Sequence, residues 1–409
     1  EQQMVHMLTC SNMFHLDGLI AVTGKYLRTQ PQPELFHRLH DAYEGVFDNL
    51  KLHADGWHEP AYLRSITHAG QQNYGMEDVG NGKSSPGSNQ IVQALTKDDP
   101  RPVYVVINAG SNTLAQALWD VRAGYSEDEA QSIVRKLRVF ENGAQDNAGA
   151  WACHTFPAIH WMRSNDQTYA FGGPDFEGRG AHFGLGPYTW EPYPYTVLGQ
   201  HQWDLEHVIT HHGPLGARFP LRMFGDGKLA FKEGGGTTPW LGLLNRGLYN
   251  PDRPWWGGWS GRFSRRKVEN CWSRHADVRA DEEKHVPFAC YKEESDRWID
   301  PEANVLWENI CVPVWRWRRA MFNNQKCRMD WCVKPYEQAN HHPRALLNGN
   351  STDQITIISA TPGQSIDLDA TGSSDPDGDP ITVRWWTYPE AGTYAGDLEI
   401  KDAGAVSTS

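Results

Sequence analysis

The stretch PVYVVINAGSNTLAQALWDV, Pro102 to Val121, decides the fold that the sequence predicts. It begins with a continuous apolar run closed by Gly110, which is typical of a buried strand in a parallel sheet. The chain then passes directly into a helical pattern whose apolar residues fall on one face. Ser111 or Asn112 is placed to cap that helix. A buried strand followed at once by a helix is half of a βαβ unit.

The same alternation of strand and helix extends over the first third of the chain. A second apolar run, LDGLIAVTG, ends at Gly24 and predicts another buried strand. Helical patterns cover Glu34 to Asn49, Pro60 to Ala69, Ser88 to Thr96 and Ser126 to Phe140. The alternation predicts an α/β fold with a mostly parallel, doubly wound sheet.

Polar residues lie where the loops of such a sheet would bind a ligand, beyond the carboxyl ends of the strands. Asn108 directly follows one predicted strand, and Asp146 lies in AQDNAGAW between Gln145 and Asn147. We expect these four residues to contribute to binding or catalysis. The alternative is that they are ordinary turn and cap residues.

The later part of the chain differs from the first in composition and periodicity. Residues 171–263 are rich in Gly, Pro and aromatic residues, with one helical pattern at Gln202 to His211. A further helical pattern covers Glu302 to Trp331. After residue 350 the apolar residues alternate with polar ones between Gly, Pro and Asp turns, which predicts an antiparallel β-sandwich. We therefore expect one domain over residues 1–345 and a second, incomplete one over 350–409.

Composition argues against nucleic acid and membrane as partners and favours a ligand with flat faces. The formal net charge of the 409 residues is -12, which argues against nucleic acid as a ligand. No apolar run is long enough to span a bilayer, so the sequence predicts no membrane partner. The chain contains 18 Trp, and indole rings suit stacking against flat ligand faces, although most Trp residues fill protein cores.

A glycine-rich loop, KEGGGTTPW at Lys232 to Trp240, places the carboxylate of Glu233 beside three glycines. Glycine runs weaken helices and strands, so they occur where backbone must bend or approach another group closely. The loop is therefore either a flexible surface segment or one that brings a carboxylate against a ligand.

The segment WWGGWSGRF is the strongest candidate for an aromatic binding platform. Its indoles belong to Trp255, Trp256 and Trp259, and the intervening glycines would allow close approach of a ligand. At least one of the three Trp is expected to pack in the core instead.

The turn DPDGDP carries Asp375, Asp377 and Asp379 on alternate residues. Alternate carboxylates can hold Ca²⁺, but the further ligands of an EF-hand loop are missing from this stretch. The favoured interpretation is a hairpin turn whose Asp side chains cap backbone N–H groups.

Several segments together resemble a bacterial cellulose-binding family built on a nucleoside hydrolase-like domain and an immunoglobulin-like C-terminal domain. The ordered set is more specific than any one motif. The matching stretches are SNMFHLDGLIAVTG, YGMEDVGNGKSSPGSNQIVQAL, DDPRPVYVVINAGSNTLAQALW, QDNAGAW, HHGPLGARFP, NPDRPWWGGWSGRF, WCVKPYEQANHHP and LDATGSSDPDGDPITVRWWTYPEAGTY.

The resemblance implies a calcium site. Nucleoside hydrolases hold Ca²⁺ with an aspartate cluster at the end of the first strand, which we expect to lie before Glu1. The GSNT turn resembles another part of the metal shell and implies Asn112 as a ligand. In EGGGTTP the expected aspartate position corresponds to Thr237, a weaker ligand, so Glu233 is the replacement candidate.

The resemblance implies metal-dependent hydrolysis of a glycosidic bond, N- or O-linked, with Glu233 or Asp146 handling the proton. The substrate would be a nucleoside-like molecule or a carbohydrate, including polysaccharide. The alternative is a non-catalytic carbohydrate-binding protein on the same fold, which the departure at Thr237 favours. The family further implies a secreted or periplasmic location, and a homo-oligomer is left open.

Overall fold

A computed structural model describes residues 1–173, 186, 192–194, 196–232, 234–244, 246–248, 250–350, 355–396 and 398–409. Its strands are β1 (Leu19–Ala21), β2 (Thr67–Ala69), β3 (Val103–Ile107), β4 (Leu137–Asn142), β5 (His160–Ser164), β6 (Val268–Glu269), β7 (Ala289–Lys292), β8 (Asp296–Asp300), β9 (Val305–Asn309), β10 (Leu368–Asp369) and β11 (Ser407–Thr408). Its α-helices are α1 (Gln2–Leu8), α2 (Pro33–Leu50), α3 (Pro60–Ser65), α4 (Pro86–Thr96), α5 (Asn112–Gly124), α6 (Glu127–Val134), α7 (Ala148–Thr155), α8 (Val197–Asp204), α9 (Gly213–Gly216), α10 (Thr238–Leu241), α11 (Ala276–Glu282), α12 (Val312–Trp315) and α13 (Arg318–Asp330).

The central sheet has the strand order β3-β4-β5-β7-β6. Strands β3, β4, β5 and β7 are parallel, and β6 pairs antiparallel with β7 at the edge. Strand β1 pairs in parallel with β2 in a separate two-stranded sheet. The fold is therefore the mostly parallel α/β arrangement that the sequence predicts, with the parallel strands shared between two sheets.

Side chains of the central sheet alternate between two cores, as the period of a strand requires. Val139 and Trp161 face the core that the sheet shares with helices α4, α5 and α7. Phe140 and Met162 point to the opposite face, where they pack with Phe263. Burial on both faces explains why apolar and polar residues do not alternate along these strands. Continuous apolar runs are typical of parallel sheets that are covered on both sides.

A larger core lies between helices from the N-terminal and C-terminal parts of this domain. Helix α2 contributes Tyr43 and Val46 on its buried face, and these pack with residues of α1 and α13. Pro33 begins α2 at a position where its missing N–H breaks no helical hydrogen bond. The sequence pattern predicted α2 to within a residue at each end.

Three predicted helical patterns are partly wrong. The pattern Ser126 to Phe140 contains α6, which is capped by Ser126 and Glu129, but its end lies in β4. Likewise, the end of the Pro60 to Ala69 pattern forms β2. Within Glu302 to Trp331, β9 precedes the helices. In each case a short segment pairs with a neighbouring strand. The periodicity of a single segment carries no information about such pairing.

The C-terminal part contains the antiparallel pair β10 and β11, which fits a partial β domain. The immunoglobulin-like topology and the boundary near residue 345 stay predictions. In the DPDGDP turn, Asp375 Oδ1 accepts the backbone N–H of Asp377 at 2.9 Å. Asp377 Oδ1 accepts from His341 Nδ1 at 2.7 Å, although His341 lies 36 residues earlier in the chain. Asp375 therefore caps the turn locally, as the favoured interpretation holds, whereas Asp377 makes a long-range pair.

A cavity of about 1070 Å³ lies between the facing edges of β1 and β3. Its walls include the apolar residues of both strands and residues of α1. In the described part of the chain, no helix is both long and apolar enough to cross a bilayer.

Candidate functional site

Three loops meet at the carboxyl edge of the parallel strands. The backbone N–H of Gly110, after β3, donates to the carbonyl oxygen of Thr23, after β1, at 2.8 Å. Asn112 Nδ2 donates to Thr23 Oγ1 at 3.0 Å and to the carbonyl oxygen of Asn73 at 2.7 Å. The structure thus assembles the asparagine turn at the edge where parallel sheets carry their ligand sites.

Gly110 is required at this junction because no side chain fits there. A Cβ at this residue would lie 2.3 Å from Asp146 Oδ2 and 2.7 Å from the carbonyl oxygen of Thr23. Both distances are far shorter than any contact that a methyl group tolerates. The glycine therefore allows the turn to approach the Asp146 carboxylate.

Asp146 is fully buried and ties two helices to this edge. Its carboxylate accepts the backbone N–H groups of Asn112 at 3.2 Å and of Ala148 at 3.0 Å, and the hydroxyl of Ser111 at 2.9 Å. Burial raises the pKa of Asp146 to about 6, although these hydrogen bonds favour the ionised form. A carboxyl group with this pKa can gain or lose a proton near neutral pH.

Gln145 and Asn147, on either side of Asp146, hold neighbouring loops in place. Gln145 Nε2 donates to the carbonyl oxygen of Asn108 at 3.0 Å. Asn147 Oδ1 accepts the backbone N–H of Met76 at 3.0 Å. Both residues are buried, so the structure shows them as positioning groups of this edge.

Two amide oxygens on the cavity wall lack hydrogen-bond partners. They are Oδ1 of Asn108, in the asparagine turn, and Oε1 of Gln3, on helix α1, and both atoms are buried. Asn112 Oδ1 is a third buried oxygen without a partner, deeper in the same turn. An unpaired buried acceptor is costly, so such atoms mark places where a donor or a cation would be favourable.

The glycine-rich turn lies at the same edge of the sheet. The carbonyl oxygen of Gly235 accepts from Thr168 Oγ1 at 2.6 Å and from Nδ2 of Asn142, the last residue of β4. The Gln3 side chain fills the space that a Cβ at Gly236 would need. Gln3 therefore connects this turn to the cavity on which Asn108 lies.

Thr237 is 2 % exposed and directly precedes α10, and its backbone N–H donates to the carbonyl oxygen of Gly234 at 2.9 Å. Glu233, the predicted catalytic and metal-binding carboxylate, lies outside the described residues.

The described residues supply only part of a calcium shell. Ca²⁺ takes six to eight oxygen ligands, several of them carboxylates. The unpaired oxygens of Asn108 and Asn112 are two neutral donors, while both carboxylate oxygens of Asp146 already accept hydrogen bonds. Within the described ranges, no cluster of three or more His, Cys, Asp or Glu residues is suited to a metal ion.

The structure separates the three indoles of the predicted aromatic platform. Trp259 is buried in the core. Trp255 and Trp256 are half-buried, and Trp256 reaches the cavity wall beside Asp252. Asp252 pairs with Arg138 in the first half of β4, so Trp256 lies towards the amino ends of the strands, away from the asparagine turn.

Several residues that shape this edge were not singled out from the sequence. Buried Glu141 accepts from Arg163 Nε at 2.7 Å, and its Oε1 lies 3.1 Å from Ser111 Oγ, whose one proton can go either to Glu141 or to Asp146. Glu293 accepts the hydroxyl of Ser164 at 2.5 Å and three consecutive backbone N–H groups that follow it. Burial, and then the nearby charge of Asp166, raises the pKa of Glu293 to about 7. A carboxylate inside an apolar strand, as in LRVFEN, was the available signal for Glu141.

Comparison with known proteins agrees with the fold. A family model described as the cellulose-binding Sde182, nucleoside hydrolase-like domain matches residues 1–263. A second, described as the cellulose-binding protein Sde0182 C-terminal domain, matches residues 365–409. A search of curated proteins finds no match.

A solved structure is similar over the whole chain. It is a nucleoside hydrolase-related hypothetical protein from Saccharophagus degradans, described as associated with carbohydrate metabolism. The two share 32% sequence identity with a TM-score of 0.82, and the match covers 100% of this chain and 86% of the other. The chain therefore belongs to the cellulose-binding Sde182 family and carries its nucleoside hydrolase-like domain.

Proposed function

We propose that this protein binds a carbohydrate of the cellulose type, and that the cavity beside the asparagine turn receives a sugar ring. The observation that carries the proposal is the cavity itself, whose wall includes two residues with amide side chains, Asn108 and Gln3. Sugar hydroxyl groups both donate and accept hydrogen bonds, so they can pair with side-chain amides. The family description and the description of the Saccharophagus degradans relative support a carbohydrate ligand.

The cavity suits a sugar in other respects. Its volume of about 1070 Å³ is at the upper end of the range for small-molecule pockets. Leu19, Ile20 and Val105 give it apolar walls, against which the C–H faces of a pyranose ring can pack. A pocket with apolar walls and a few placed polar groups is the usual form of a ligand site.

Calorimetric titration with cello-oligosaccharides tests this proposal. Asn108→Ala and Gln3→Ala each remove an oxygen that makes no hydrogen bond within the protein, so the fold keeps its own bonds. We expect each variant to bind about five- to tenfold more weakly, the effect of one lost hydrogen bond. Gln93→Ala, which removes an exposed amide on α4, is the matched control and should bind as the parent does. Unchanged affinity in both cavity variants would contradict the proposal.

A second candidate function is metal-dependent hydrolysis of a glycosidic bond in a nucleoside or glycoside. The unpaired Oδ1 of Asn112 favours it, since an amide oxygen is a suitable Ca²⁺ ligand. Asn112, Thr237 and Glu233 would be the ligands from this chain, and a bound Ca²⁺ would supply an anchor for a sugar diol and an acidified water. Asp146, with a pKa of about 6, has the proton affinity of a general acid or base.

Release of free sugar from nucleosides and aryl glycosides, measured with Ca²⁺ and with a chelator, tests this second candidate. Calcium-dependent release that Asp146→Asn lowers by at least a hundredfold would support hydrolysis with Asp146 in the proton transfer. Binding of cello-oligosaccharides without any release of sugar would contradict hydrolysis and support binding as the function.

Cellulose is an extracellular polymer, so we also propose a secreted or periplasmic location. Cell fractionation followed by immunoblotting checks it, and recovery in the cytosolic fraction would contradict it. A homo-oligomer stays a prediction that sedimentation can decide.

A further inference from the structure

Three aromatic rings meet where the C-terminal part of the chain contacts the first domain. Trp317 precedes α13, and Trp386 and Tyr388 belong to the C-terminal part. The ring centroids of Trp317 and Trp386 are 5.4 Å apart, and Tyr388 lies 6.1 Å from the first and 6.2 Å from the second. We call these residues the junction cluster.

One face of the junction cluster is open to solvent. Trp386 is 50 % exposed and Trp317 is half-buried, whereas most of the Tyr388 side chain is covered. A large indole surface is costly to leave in water, so an exposed Trp beside a second one commonly marks a binding surface. Neither ring belongs to the cavity beside the asparagine turn.

The covered side of the cluster is held rigidly. Tyr388 Oη donates to Asp296 Oδ2 at 2.6 Å, and the Arg316 guanidinium lies 4.1 Å from the centre of the Tyr388 ring. Glu390 Oε1 accepts the backbone N–H of Arg297 at 3.0 Å. A platform whose rings are fixed in advance loses little conformational entropy when a ligand binds.

Unsatisfied polar atoms surround the cluster. Arg316 Nε, Trp317 Nε1 and Glu390 Oε2 are buried and have no hydrogen-bond partner. The distance from Arg316 Nη2 to Glu390 Oε2 is 3.8 Å, which is too long for a hydrogen bond. The Arg316 side chain is only 6 % exposed, and its Nε lies 3.7 Å from Asp296 Oδ2. Arg316 and Glu390 therefore belong to the covered side of the cluster, and the open side is formed by the indole of Trp386.

We propose that the junction cluster is a second carbohydrate site, which stacks a pyranose ring of a neutral β-glucan chain on the exposed indole of Trp386. The Trp317 ring, tilted by 51° to that of Trp386, flanks the stacked sugar. The net charge of -12 disfavours an acidic polysaccharide and favours a neutral one. The inference rests on the proposed carbohydrate function for its ligand class, but on different residues.

Binding to insoluble microcrystalline cellulose, measured as a depletion isotherm, tests the site. Trp386→Ala should weaken binding to the polymer about tenfold, and Trp386→Tyr, which keeps a flat ring, should retain most of it. Tyr394→Ala is the matched control, because Tyr394 is a 65 % exposed aromatic residue in the same part of the chain. Circular dichroism checks that each variant is folded.

Two results would overturn the inference. The first is equal binding of the Trp386→Ala and Tyr394→Ala variants to the polymer. The second is a change of oligomeric state on Trp386→Ala, seen by size-exclusion chromatography, with polymer binding unaltered, which would make the cluster a protein contact. Loss of binding in Trp386→Ala with full binding in Asn108→Ala would support the junction cluster and contradict the cavity, so the two proposals can fail separately.

Discussion

The backbone N–H of Gly110 donates to the carbonyl oxygen of Thr23 at 2.8 Å, and this bond joins the ends of strands from two different sheets. The asparagine turn depends on this close approach, because Gly110 has no side chain to separate the two loops. The arrangement of unpaired oxygens around the cavity follows from it.

Gly110→Ala should therefore lower the free energy of unfolding by about 2 to 3 kcal/mol, because the new Cβ would overlap Asp146 and the Thr23 carbonyl. Urea unfolding monitored by Trp fluorescence measures it. Gly124→Ala is the matched control, since Gly124 lies at the end of α5 with open space around its Cβ position. That control should be neutral or slightly stabilising, and an equal loss in both variants would contradict this explanation.

Stability should fall as pH rises from about 4 to about 6, partly because of Asp146. Burial raises its pKa to about 6 in the folded protein, so the folded state holds a proton that the unfolded state has already released. The stabilisation is therefore complete below pH 4 and is lost above pH 6, by about 3 kcal/mol.

The free energy of unfolding of the parent and of Asp146→Asn, measured at pH 4.5 and 7, checks this sign. The loss between the two pH values should be smaller in the variant, because Asn cannot titrate. Glu293, whose pKa is also raised, is present in both proteins and cancels in the comparison. An identical loss would show that Asp146 does not titrate as stated.

Arg163→Met should destabilise the fold by about 3 to 5 kcal/mol, because it leaves two buried carboxylates unpaired. Arg163 pairs with Glu141 at 2.7 Å and with Glu282 at 2.5 Å, and all three side chains are excluded from solvent. Arg101→Met, which breaks an exposed pair with Asp99, should cost less than about 1 kcal/mol. Denaturant unfolding measures the loss of stability in both variants. Similar losses would contradict the claim that the buried pairs of Arg163 matter more than the exposed pair of Arg101.

The sequence predicts those parts of the fold that local pattern controls. The apolar run of Val103–Ile107 and the helix that follows it are confirmed, because their periodicity and caps lie within one short segment. The pattern Ser126 to Phe140 wrongly predicts a helix over the first four residues of β4, since the pairing of β4 with β3 and β5 depends on residues far away in the chain. Tertiary pairing overrides local preference at such places.

The candidate site was predictable to a similar degree. The position of Asn108 directly after a predicted strand indicates the carboxyl edge of the sheet, where ligand sites lie in folds of this kind. The role of Gln3 was not predictable, because a glutamine in an N-terminal helix reaches the cavity only through the packing of α1 against the glycine-rich turn. The separation of Trp256 from the asparagine turn likewise depends on long-range pairing.

The most direct test is a nuclear magnetic resonance titration of the side-chain amide groups of Asn108 and Gln3 with cellotetraose. The account predicts saturable chemical-shift changes for both groups with one common dissociation constant, since both residues line the same cavity. Side-chain amide signals of Gln93 should not move. Saturable binding that leaves Asn108 and Gln3 unchanged would contradict the claim that this cavity receives the sugar.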